Sequence, residues 1–196
     1  YSLRRLLADA GPSADEILLA DRATLRFDPA AFSSDLEEYH AAVSEAARAQ
    51  TAAERSQALG RAASGYTGEF LPGFNDAWAF EERERLATTH RELLQRLLRV
   101  REELRDGEGA LSAAREMVRL DPLWEEAHYD VMRLCAAAGQ PQAVLRQYQE
   151  LERILREELD ETPSAEARAL AEELRQSART LVVARRSPLT PPLDRG

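Results

Sequence analysis

Apolar residues recur at helical spacing through most of this chain. Leu3, Leu6 and Leu7 share one face of a short segment, residues 2–8, which Gly11 and Pro12 stop. EILLA (16–20) and ATLRF (23–27) are short, β-leaning runs around Asp21 and Arg22, the pattern of a hairpin. The texture changes at Asp28. Asp28 followed by Pro29 is an N-cap before a first-turn proline, and Phe32, Leu36, Tyr39 and Val43 keep a helical period, so the first long helix is predicted from Asp28.

A second helix is predicted over 52–63, followed by the loop GYTGEFLPGF (65–74), in which three glycines and a proline interrupt the periodicity. Asp76 then caps a long helix whose Trp78, Leu86, Leu93, Leu94, Leu97, Leu98 and Leu104 form one apolar stripe, ending near Asp106 and Gly107. Four shorter helices are predicted at 109–120, 124–138, 142–159 and 164–180. Asp121 with Pro122, Gly139 with Pro141, and Thr162 with Pro163 mark their ends, and such short turns imply antiparallel neighbours. The tail 185–196 has three prolines and no apolar face, which reads as a linker or disordered end.

The helix pairs carry a degenerate repeat. With Pro122 as the proline that closes a tetratricopeptide unit, Ala110 and Ala114 fall at the small contact positions of its second helix. A period of about 34 residues moves Leu94, Leu97, Leu98 and Arg101 onto His128, Val131, Met132 and Cys135. The next helix, with Val144, Tyr148, Leu151, Leu155 and Leu159 on one stripe, is about two turns longer than the repeat prescribes. In this register Glu92, Gln95, Arg99, Glu126, Tyr129 and Arg133 line the concave face, a candidate partner groove. The plainer alternative is the solvated face of two amphipathic helices.

Composition agrees with an all-α, tetratricopeptide-like stack of antiparallel helix pairs. Charged residues are 31% and aromatics 6%, and Ala, Leu, Glu and Arg dominate the long segments. No run approaches the roughly 18 consecutive apolar residues of a membrane span. The formal charge of −9 opposes a phosphate backbone, so this segment is not expected to read DNA itself. Every one of the 26 basic residues is arginine, a bias that GC-rich coding explains more readily than selection for bidentate pairing. Cys135 is alone, so no intrachain disulfide can form, and a cytoplasmic address is expected.

The residues offer no reaction chemistry. His40, His90 and His128 are scattered, with no ligand partner at metal-site spacing, and Cys135 falls on a predicted buried face. Phosphate-loop, dinucleotide and nucleophile-elbow motifs are missing. No catalytic residue, cofactor or metal is therefore expected. An enzyme or small-molecule sensor built into the stack would need a deep pocket with convergent polar groups, of which the sequence gives no sign.

GYTGEFLPGFNDAWAFEERERL (65–86) resembles the signature stretch of the bacterial transcriptional activator domain, and residues 119–170, from RLDPLWEEAHYDVM to SAEARAL, resemble its second half. The likeness spans about residues 28–180. It implies a helical domain of the kind found in Streptomyces antibiotic regulatory protein-type activators, directly after a winged-helix DNA-binding domain. Within residues 1–27, SLRRLLADA (2–10) and the ILLADRATLRF hairpin (17–27) are then similar to the closing helix and hairpin of that domain, and within the tail 181–196, SPLTPPLDR (187–195) resembles a linker that in larger members leads to a nucleotide-binding switch domain. The partners implied are proteins: the chain's own winged helix, another protomer in a homodimer, or the transcription machinery. DNA would be met only through the winged helix. Within the signature, Gly68 and Gly73 are expected to permit tight turns, Pro72 to stiffen the loop, and Phe70, Leu71 and Trp78 to fix it to the core. Glu81, Glu82, Arg83 and Arg85 read as a solvated first turn, and Asp121 and Pro122 as punctuation. A stand-alone peptide-binding scaffold is the competing reading.

Overall fold

In the computed structural model the described residues are 17–20, 24–28, 31 and 33–186. They begin with a hairpin of β1 (Leu18–Ala20) and β2 (Leu25–Phe27), antiparallel, with Leu18 opposite Phe27 and Ala20 opposite Leu25. Seven helices follow: α1 (Asp35–Arg48), α2 (Ala52–Gly65), α3 (Ala77–Glu103), α4 (Gly107–Leu120), α5 (Glu125–Ala137), α6 (Pro141–Leu159) and α7 (Ala165–Arg186). The segment 2–8, Gly11, Pro12, Asp21, Arg22, Pro29 and Phe32 lie outside the described residues, as does the tail beyond Arg186.

Two helix boundaries differ by more than a turn from those predicted. The first helix begins at Asp35, not Asp28, because the side chain of Ser34 accepts from the Glu37 amide at 3.1 Å, while the Asp28 amide closes the hairpin on the Ile17 carbonyl at 2.7 Å. The last helix continues past Thr180 to Arg186, so Arg185 and Arg186 are helical. Elsewhere local signals set the helix ends. Thr51 and Glu54 form a reciprocal capping box on α2, and Pro141 opens α6 at a position that needs no amide donor.

Each helix packs on the next in the chain, and α5 also reaches α7. The core is continuous from Tyr39 to Ala171. Alanines at its crossings, among them Ala58, Ala62, Ala110, Ala114, Ala127 and Ala167, are at most 1% exposed, which lets the helix axes approach closely. His128, Val131, Met132 and Cys135 are buried, as the repeat register requires. Three residues assigned to apolar stripes are not core. Trp78 is 55% exposed, Leu104 42% and Leu159 49%, each at the end of its helix. α3 has 27 residues against 14 in α2 and α4, so its ends overhang them.

Candidate functional site

The loop between α2 and α3 is held by one side chain. Arg83, two turns into α3, turns its guanidinium back across the loop. Its Nε donates to the Phe70 carbonyl at 2.7 Å, and Nη2 donates to the carbonyls of Leu71 and of Phe74, the latter at 2.7 Å. The Glu69 carboxylate lies 3.0 Å from Nε. Those carbonyls belong to no helix or sheet, and a planar fork of N–H donors suits several acceptors at once. The Arg83 side chain is only 12% exposed, which overturns the solvated-face expectation for it, whereas Arg85 pairs with Glu82 in the open. The turn itself uses Leu71 at φ +47° and Gly73 at φ +86°. Gly68 takes no left-handed conformation, and a Cβ there would meet nothing, so it is not the turn-permitting glycine expected. Phe70 packs against the core and meets the Trp78 ring edge-on at 6.5 Å, while Pro72 and Trp78 stay exposed.

Beneath the loop lies a cavity of about 290 Å³, walled by Leu36 and Tyr39 of α1, by Tyr66, Phe70 and Leu71, and by Leu86 of α3. Behind Tyr66 stands His90, whose ring stacks on it at 4.0 Å with an 11° tilt and lies 6.0 Å from Tyr39. His90 is fully buried, and neither ring nitrogen has a hydrogen-bond partner among the described residues; the same is true of the Tyr39 hydroxyl. Burial pushes His90 down to about 4, so it is neutral near pH 7. Burial, with the neighbouring Tyr66, pushes Tyr39 up to about 12.

The Asp121–Pro122 turn is tied on two sides. Asp121 pairs with Arg91 of α3 at 3.2 Å, and that guanidinium also lies over the Trp124 ring at 5.3 Å. The Pro122 carbonyl meets His128 Nε2 at 3.0 Å, and His128 Nδ1 meets the Gln147 side-chain nitrogen at 2.8 Å. A carbonyl can only accept, so Nε2 carries the proton and Nδ1 accepts from the amide. Burial holds the His128 pKa below its ordinary value, against the opposing bond to Pro122.

The six candidate groove residues divide. Glu92, Arg99 and Glu126 are exposed, and Gln95 and Tyr129 half-buried. Arg133 is half-buried and engaged by the chain itself, pairing with Glu102 of α3 and with Asp130 at 2.7 Å. None of the six lines the cavity under the loop. Sequence reasoning did not find Glu102, Tyr66 or His90. Asp130, three residues before Arg133 on one helix, was legible as a pair. Among the described residues no group of His, Cys, Asp or Glu could hold a metal ion, and no helix is long and apolar enough to cross a membrane.

This architecture defines a tetratricopeptide-like helical stack with a specialised inter-helix loop. Residues 33–175 match the family model described as the bacterial transcriptional activator domain, and the chain belongs to that family. Among solved structures it is similar to EmbR of Mycobacterium tuberculosis in complex with a low-affinity phosphopeptide, with 17% identity and a TM-score of 0.53 over 96% of this chain. The chain spans about half of that protein, 54% of its length. The C-terminal TPR-containing domain of a Plasmodium falciparum protein described as FK506-binding is 13% identical, with a TM-score of 0.48, over 79% of this chain and 97% of that one. No curated protein matches the chain by sequence.

Proposed function

We propose that this chain is the regulatory protein-interaction domain of a bacterial DNA-binding transcriptional activator. The observation that carries the reading is the family match over residues 33–175, which includes the Arg83-held loop and the Asp121–Pro122 turn. In this reading 1–27 close a winged-helix DNA reader, 28–180 form the activator domain, and 181–196 lead out of it as a linker whose first residues, to Arg186, continue α7. The β1–β2 hairpin ahead of α1 supports that order. The charge of −9 fits a module that leaves the phosphate backbone to another domain. The helical stack would act without covalent chemistry, by setting protomer geometry or by presenting a face to the winged helix or the transcription machinery. Glu92, Gln95, Arg99, Glu126 and Tyr129 remain the proposed contact residues. Arg133 would act by fixing α5 against α3 through Glu102.

Electrophoretic mobility shift at two salt concentrations tests this, using the chain alone and a version extended at its N-terminus to include the winged helix. Specific binding by the extended protein only is expected. Failure of both to bind would favour the peptide-scaffold reading.

A further inference from the structure

We propose that the outward face of the first turns of α3, with the Arg83-held loop beside it, is a docking surface for a basic amphipathic segment of a partner protein. The inference rests on the protein-interaction reading, not on DNA binding, and it places a contact apart from the candidate groove.

Exposed aromatic rings concentrate here. Phe74, Trp78 and Phe80 are 52%, 55% and 50% exposed, and Pro72 beside them is exposed as well. Grouped apolar residues left in water mark interaction surfaces, and aromatic rings supply much of the binding energy where proteins meet. Ala79 is fully buried, so Trp78 and Phe80, each about 100° round the helix from it, flank the outward side of α3. That helix packs on α2 and α4, and its first turns overhang both. The rings surround one fixed centre. Trp78 meets Phe70 edge-on, the Phe70 and Phe74 carbonyls both accept from Arg83, and the Arg83 guanidinium lies 5.0 Å from the centre of the Phe80 ring. A surface already held in place has little ordering left to lose on binding.

Charge selects the partner. Glu81 lies one turn beyond Trp78 and Glu84 one turn beyond Phe80, which puts both carboxylates on the outward face between the rings. Together with Asp76 at the N-cap they are exposed and have no ion pair or hydrogen bond from their side chains among the described residues. Both arginines of this stretch are occupied, Arg83 by the loop and Arg85 by Glu82. The free charge is therefore all negative, and it outweighs the roughly half positive charge at the start of a helix. A basic segment is attracted, and its lysines or arginines also find the open Trp78 ring. The same carboxylates repel an anionic membrane surface and a second copy of this face, in a chain whose formal charge is −9.

The test titrates the isotopically labelled chain with two synthetic peptides of one design, leucines along one face and either lysines or glutamates along the other, followed by amide NMR shifts. The lysine peptide is expected to saturate with Kd on the order of 100 μM, moving amides of residues 72–85, and the glutamate peptide to leave them in place. Glu81→Gln with Glu84→Gln removes no contact within the fold, so this double variant should melt with the wild type while binding about fivefold more weakly. Trp78→Ser should bind about tenfold more weakly. Equal binding of the two peptides, undiminished binding by the double variant, shifts centred on 92–99 and 126–129, or no saturation up to about 1 mM, ten times the expected Kd, would each overturn the proposal. Sedimentation of the chain alone as a dimer that Trp78→Ser dissociates would assign the face to a second copy and overturn it too. No arm of the test involves DNA, so its failure is distinct from a failure of the mobility shift.

Discussion

Arg83 Nε donates to the Phe70 carbonyl at 2.7 Å, joining the body of α3 to a loop thirteen residues earlier in the chain. The same guanidinium holds the Leu71 and Phe74 carbonyls, so one side chain sets a turn that includes a left-handed leucine. The loop's conformation is therefore determined from α3, and the cavity beneath it depends on that contact.

Replacing Arg83 should loosen the loop before it unfolds the stack. Arg83→Ala is expected to cost about 2–3 kcal/mol, because several charge-assisted bonds are lost while the freed carbonyls regain some water. Arg83→Lys should recover less than half, since an ammonium cannot span three carbonyls in one plane. Urea denaturation measures both. A loss below about 0.5 kcal/mol, the scale of an ordinary surface substitution, would show that the loop is held by its apolar contacts instead.

His90 should make the protein acid-sensitive in a defined window. Its folded pKa of about 4 lies below the ordinary value of 6.5, so between them the unfolded state binds the extra proton. Stability is then highest above about pH 6.5 and falls as pH drops toward 4, by about 3 kcal/mol in all. His128, shifted in the same direction, adds to the slope. Glu54, Glu82, Glu116 and Glu150 have lowered pKa values, so their contribution is lost only at more acid pH. His90→Leu removes two unpartnered nitrogens and should gain more relative to wild type at pH 5 than at pH 7.5. Parallel stability curves for the two proteins would rule out this role for His90.

Two glycines at the start of α4 should respond oppositely to alanine. A Cβ on Gly109 would stand 2.0 Å from Asp106 Oδ2 and 2.9 Å from Arg101 Cδ, displacing the cap that accepts the Gly109 amide at 2.9 Å. Gly109→Ala should cost about 1–2 kcal/mol, the worth of an N-cap. At Gly107 a Cβ meets nothing within 4 Å, so Gly107→Ala should be neutral or stabilising by up to about 1 kcal/mol. Thermal melting of the pair decides it, and equal shifts would contradict the steric account.

The His128 bridge should behave as one unit. His128→Leu strands the Pro122 carbonyl and the Gln147 amide, and is expected to cost about 2 kcal/mol. Gln147→Leu added to it should cost little more, because its partner has already gone. A double-mutant cycle checks this, with a coupling of about 1 kcal/mol expected and strict additivity as the contrary result.

Much of this protein was written locally. Periodicity marked all seven helices, and the capping box at Thr51, Pro141 at the start of α6 and the turn at Asp121–Pro122 fixed their edges, because helix ends are decided by hydrogen bonds spanning only a few residues. The repeat register was equally legible, since a buried face must recur with each stacked pair. The family resemblance in the loop could be read from the same residues.

What the tertiary structure decided was the use made of side chains whose partners lie on other elements. Arg83 reads as a surface charge on its own helix and becomes the clasp of a loop only when α3 passes beneath it. His90 looks isolated in sequence, yet the packing of α1, the loop and α3 seals it behind Tyr66. Trp78, Leu104 and Leu159 keep the helical period but fall outside the core, because periodicity records a face and not how far the neighbouring helix extends. Local chemistry determined which segments are helices and where they stop; the unequal lengths of packed helices and contacts between distant residues determined which groups are buried and which buried polar atoms go without a partner among the described residues.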